Sequence, residues 1–128
     1  MIKNEKLYLA QEDLYRIGNS SSPLLTKIRS GEITITELNG VKVIVADGKG
    51  VSLYNRAGLE RSSLSGWIWE IRSGTLLPRD LYLRPDPDPN NTGHYFVCPI
   101  QNMPVTSYVG QLEQMAIHCQ KLYQRKRA

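Results

Sequence analysis

The sequence predicts an α+β fold: a mixed sheet of short strands with a long helix near the C-terminus packed on it. Three observations carry this expectation. Several short runs alternate apolar and polar or β-branched residues, which is the period of a strand. Turn residues such as Asn39-Gly40 and Asp47-Gly48-Lys49-Gly50 separate the runs. Beyond Pro104 the apolar spacing changes to that of a helix. At 128 residues the chain has the length of one domain with a single core, and no internal repeat divides it.

Taken in order, residues 13–17 suggest a strand with Leu14 and Arg16 on one face and Tyr15 and Ile17 on the other. Asn19-Ser20-Ser21-Ser22-Pro23 combines capping residues with a first-turn proline, which predicts a helix over about 23–30, stopped by Gly31. Ile33-Thr34-Ile35-Thr36 and Val41-Lys42-Val43-Ile44-Val45 flank Asn39-Gly40 as a hairpin. Val51-Ser52-Leu53-Tyr54, Trp67-Ile68-Trp69-Glu70-Ile71, Leu81-Tyr82-Leu83-Arg84 and His94-Tyr95-Phe96-Val97-Cys98 are further strands. Between the last two, Pro85-Asp86-Pro87-Asp88-Pro89-Asn90-Asn91 is a loop, because three prolines remove donors and fix the backbone. From Pro104, Tyr108, Leu112, Met115, Cys119 and Leu122 form one apolar stripe, and basic residues at its end suit a helix C-terminus.

Composition narrows the function classes. No apolar run reaches the roughly 20 residues that span a bilayer. Met1 to Lys6 lead into no long apolar segment, so no cleaved secretory signal is expected. Cys98 and Cys119 have no neighbouring ligand spacing, which argues against a metal site; two reduced core thiols are expected ahead of one disulfide. The net charge of +4, with Lys121, Arg125, Lys126 and Arg127 clustered at the end, permits contact with nucleic acid without requiring it. Phosphate-cradling glycine loops and nucleophile elbows are absent.

Three short pieces carry candidate chemistry. Arg16 lies in an otherwise apolar strand; its fork suits a pyrophosphate or a phosphate-linked ribose, and equally a salt bridge, with Tyr15 beside it. Ser52, flanked by apolar residues, suits a sugar hydroxyl, and a bond to backbone accounts for it as well. His94 and Tyr95 open a strand after a loop, where the phenol can stack on a flat ring or serve the fold alone. A solvated loop accounts for Asp86 and Asp88 better than a carboxylate pair does.

Taken together, "GVSLYNRAG" (residues 50–58), "GTLLPRDLYLRPD" (74–86), "GHYFVCPIQNMP" (93–104), the terminal helix and "LYR" (14–16) resemble the cytotoxic effectors delivered by bacterial type VI secretion. Residues 19–47 lie outside the resemblance. It implies a compact fold similar to ADP-ribosyltransferase toxins, with NAD as substrate, action in the cytoplasm of a target bacterium, export without a cleaved signal, and a cognate immunity protein as antidote. By the same resemblance Arg16 would hold an NAD phosphate or ribose and Ser52 would support the nicotinamide ribose. Tyr54, Trp67 or Tyr95 would supply a stacking ring, and Tyr15 and His94 would line the cleft. Val51 stands where the family usually has threonine. The family's glutamate has no clear counterpart: Gln111-Leu112-Glu113 mimics its signature on a helix, and Glu70 lacks the spacing. NAD hydrolysis in place of transfer, a nuclease-like or nucleic-acid-binding toxin, and a non-catalytic interaction module stay open as alternatives.

Overall fold

The computed structural model describes residues 6–29 and 31–126. Met1 to Glu5 and Arg127, which entered the expectations about a leader and a basic tail, lie outside them. The described chain is α+β, with two sheets. The larger has the order β6-β7-β4-β1-β5-β9 and the smaller β2-β3-β8. These strands are β1 (Leu14–Gly18), β2 (Ile35–Leu38), β3 (Val41–Ile44), β4 (Val51–Tyr54), β5 (Gly66–Ile71), β6 (Leu81–Pro85), β7 (His94–Pro99), β8 (Met103–Pro104) and β9 (Gln120–Arg125). Two helices, α1 (Arg56–Arg61) and α2 (Val105–Ile117), complete the fold.

All pairings are antiparallel, and period two sorts the side chains of the large sheet onto two faces. Leu14, Val51, Leu53, Ile71, Leu83 and Val97 join Tyr108, Leu112 and Met115 of α2 in the main core. On the opposite face Tyr15, Ile17 and Ile68 pack with Leu59 of α1. The expected division of the first strand, with Leu14 apart from Tyr15 and Ile17, is the one observed. Tyr108 also ties helix to sheet: its hydroxyl donates to the Val97 carbonyl at 2.7 Å and accepts from the Val51 N–H at 3.0 Å.

Three elements differ from expectation. Residues 23–29 form no helix, because Arg16 takes hydrogen bonds to the Leu24 and Lys27 carbonyls, which a helix would use internally. Leu24 also sits at φ 56°, outside the helical region. The terminal helix stops at Ile117, and Gln120–Arg125 instead pairs with β5 as an edge strand. The short α1 was not anticipated, although Asn55 caps it by accepting from the Gly58 N–H at 2.9 Å. Cys98 and Cys119 are both free thiols, and burial pushes each up to about 12.

Candidate active site

The site starts from a gap in the sheet. β1 and β4 share one pair, Tyr15 with Tyr54, and then separate, so Ser52, paired with Phe96 of β7 on one side, has no ladder partner on the β1 side. An ion pair fills the opening. Arg16 Nη1 lies 3.2 Å from Glu32 Oε2 and donates to the Ser52 carbonyl at 2.9 Å. The same Glu32 oxygen accepts the Ser52 N–H at 2.9 Å. Both backbone groups of Ser52 are thereby satisfied, which a buried strand requires. Nη2 of Arg16 bonds the carbonyls of Leu24 and Lys27, each at 3.2 Å. Arg16 is 1% exposed, and burial holds its guanidinium below the usual arginine range. The charge is met from within the molecule, by Glu32 and three carbonyls.

On the far side of β4, facing α1, the Ser52 side chain opens onto a cleft of about 580 Å³. Tyr54 and His94 share its floor with Ser52, while Arg61, Ser62 and Ser63 follow α1 along one wall and Asn90 and Asn91 form the other. His94 Nε2 lies 2.8 Å from Ser52 Oγ, and His94 Nδ1 lies 2.7 Å from Asp86 Oδ2. The imidazole is held in plane by Tyr54, 5.2 Å away and tilted, and by Phe96 edge-on at 4.7 Å. Burial alone would raise the Asp86 carboxyl, but hydrogen bonds from His94 and the Asp88 N–H outweigh it and hold the group below the ordinary carboxylate range.

The structure thus brings Ser52, Tyr54 and His94 together and leaves the other expected residues elsewhere. Arg16 lies behind Ser52, on the main-core side. Tyr15 is buried in the second core, with Arg56 over its ring. Trp67 pairs with Gly18 and so faces the Arg16 side, where the Lys121 ammonium covers its ring at 4.9 Å. Tyr95 alternates away from His94, packs on the main core and donates its hydroxyl to Glu12. Gln111 bonds Asp80, and Glu70 pairs with Arg72 at 3.7 Å.

Sequence reasoning passed over Arg61, Ser62, Ser63, Asn90 and Asn91, and it discounted Asp86. The cap signal at Asn55 pointed to α1 and hence to the wall it carries. Nothing local distinguishes a solvated aspartate from one folded back on a histidine. Two of the cations near the C-terminus, Lys121 and Arg125, are also tied internally. Arg125 donates to the carbonyls of Ser62 at 2.7 Å and Leu64 at 2.6 Å, and Lys121 to that of Ser20 at 2.9 Å. Arg125 thereby braces the cleft wall, and Lys121 the turn after β1.

Comparison with curated proteins returned no match. The family model of the Tse2 ADP-ribosyltransferase toxins matches residues 10–123, which takes in both helices, every residue of the cleft and all of both sheets but the last two residues of β9. An α+β sheet, a polar cleft on it and that near-complete match agree: the chain belongs to the Tse2 ADP-ribosyltransferase toxin family.

Proposed function

We propose that this cleft binds NAD, the substrate of ADP-ribosyltransferases, and that the chain transfers ADP-ribose from it to an acceptor in the cytoplasm of a target bacterium. The observation that carries this reading is the convergence of Ser52, Tyr54 and His94 on the floor of a polar cleft walled by Arg61. Ser52 Oγ meets a hydroxyl of the nicotinamide ribose. The Tyr54 ring stands against the nicotinamide. Arg61, the cation of the cleft wall, takes the pyrophosphate that the sequence suggested for Arg16. Arg16 becomes a scaffold residue that fixes Ser52. The departing group is a cationic pyridinium that leaves neutral, so positioning and electrostatics carry most of the catalysis. Delivery by type VI secretion and neutralisation by a cognate immunity protein complete the reading, on the strength of family membership.

The test is NAD binding and turnover together. NAD at a hundredfold over its Kd stabilises a native state that binds it by about 2.7 kcal/mol, so the melting temperature rises. Ser52→Ala and His94→Ala stay folded, lose nicotinamide release and relieve growth arrest on expression in an unprotected bacterium. No thermal shift with millimolar NAD, or undiminished arrest by both folded variants, overturns the reading.

A further inference from the structure

We propose that Ser52, His94 and Asp86 form a proton relay that takes the acceptor's proton during transfer, the task of a cleft carboxylate in a site that has none. The inference rests on the cleft being the NAD site. Its first support is geometry: two contacts of 2.8 Å and 2.7 Å join a hydroxyl, an imidazole and a carboxylate in line. A carboxylate held ionised only accepts, so the Nδ1 that faces Asp86 at 2.7 Å is the nitrogen that carries a proton. Nε2 then accepts from the Ser52 hydroxyl, and the Ser52 oxygen turns its lone pairs to the cleft.

The second support is how firmly Asp86 is held. Its N–H donates to the His94 carbonyl at 2.9 Å, closing the loop onto β7. Its Oδ1 accepts the Asp88 N–H at 2.9 Å, and Asn91 Nδ2 lies 3.4 Å from Oδ2. Prolines 85, 87 and 89 stiffen the same segment. The loop is built around the aspartate. Third, among the described residues the cleft lining contains no Asp or Glu. Glu32 lies behind β4 with Arg16, Glu12 bonds Asn55 and Tyr95, and Glu70 lies beside Arg72. Acyl-group hydrolysis, the other chemistry of such a triad, needs free N–H donors for an oxyanion, and the Ser52 N–H is taken by Glu32.

The step balances. The C1′–N bond of NAD breaks and its electron pair leaves with neutral nicotinamide. The acceptor's oxygen or nitrogen forms the new bond to C1′. The acceptor's proton passes to Ser52 as the Ser52 proton passes to His94 Nε2, and Asp86 stabilises the imidazolium. Solvent then removes the proton.

The test uses the full chain with Asp86→Asn and Asp86→Glu, reading NAD affinity by calorimetry, kcat and KM for nicotinamide release, and the imidazole ¹⁵N shifts. His94 and His118 are the only histidines, so His118→Gln assigns the spectrum. Asp86→Asn is expected to lower kcat by about 10²–10⁴-fold while KM and Kd stay within roughly threefold. Asp86→Glu restores most of the loss, and the wild type shows the Nδ1–H tautomer. A folded Asp86→Asn variant with wild-type kcat, or an Nε2–H tautomer in the wild type, overturns the relay. If Asp86→Asn does not fold, the wild-type tautomer decides alone. Absence of NAD binding by the wild type overturns the cleft reading, and the relay's role with it.

Discussion

Replacing Arg16 by Met separates a scaffold arginine from a ligand-binding one. The guanidinium is 1% exposed and holds Glu32 together with the carbonyls of Leu24, Lys27 and Ser52. Removing one partner of a buried ion pair costs about 3–5 kcal/mol, because the other charge stays buried and unpaired. Part is returned, since Arg16 Nε is itself buried without a hydrogen-bond partner among the described residues and Met removes that penalty. A loss of about 3–4 kcal/mol is a large share of the stability typical of single domains, ~5–15 kcal/mol. At about 4 °C per kcal/mol the melting temperature falls by roughly 12–16 °C. Urea unfolding followed by Trp fluorescence measures the loss, and NAD titration of the folded fraction measures the site. A stability loss below about 1 kcal/mol together with a large fall in NAD affinity would refute the scaffold role, because removing a ligand-facing arginine weakens binding and leaves the fold intact.

Four further outcomes are expected. Tyr108→Phe strands the Val51 N–H and the Val97 carbonyl in the core and costs about 1–3 kcal/mol, read as a lower urea midpoint at unchanged m-value. Gly58→Ala places a Cβ 2.5 Å from the Gly93 carbonyl oxygen, pushes α1 from β7 and costs about 1–3 kcal/mol by chemical denaturation, with a raised KM for NAD. Arg125→Ala frees the Ser62 and Leu64 carbonyls, loosens the cleft wall and raises KM several-fold (roughly 0.5–1.5 kcal/mol) while kcat changes little. The folded state holds the Asp86 carboxyl below its unfolded value near 4, so it binds fewer protons than the unfolded chain. That contribution is present above about pH 4 and lost as pH falls through the depressed folded value. Acid titration of wild type against Asp86→Asn shows the stability difference shrinking in that window.

The strands of the large sheet were mostly legible because they are runs of four or more apolar, aromatic or alternating residues bounded by turn chemistry. Val51–Tyr54 forms a strand over the very residues expected, and Trp67–Ile71 differs by the addition of Gly66. Failures came where distant residues override local signals. Ser22-Pro23 reads as a helix start, yet Arg16 draws the following carbonyls to itself. Gln120–Arg125 continues a helical stripe, yet β5 offers an open edge that six extended residues close. The candidate site was legible in part for the same reason. Ser52 and His94 stand out as polar groups in apolar strands. The partner of Arg16 could not be read, because Glu32 is sixteen residues away, and the described residues between β1 and Glu32 form no helix or strand. Asp86 reaches His94 only because the proline-rich loop closes back on β7.

Amide chemical-shift mapping with a non-cleavable NAD analogue tests the location of the site most directly. The account predicts perturbations at Ser52, Tyr54, Arg61, Ser62 and His94, with Leu24, Lys27 and Glu32 unchanged. Shifts centred on Leu24 to Glu32 with a silent α1 wall would place the dinucleotide at Arg16 and contradict it.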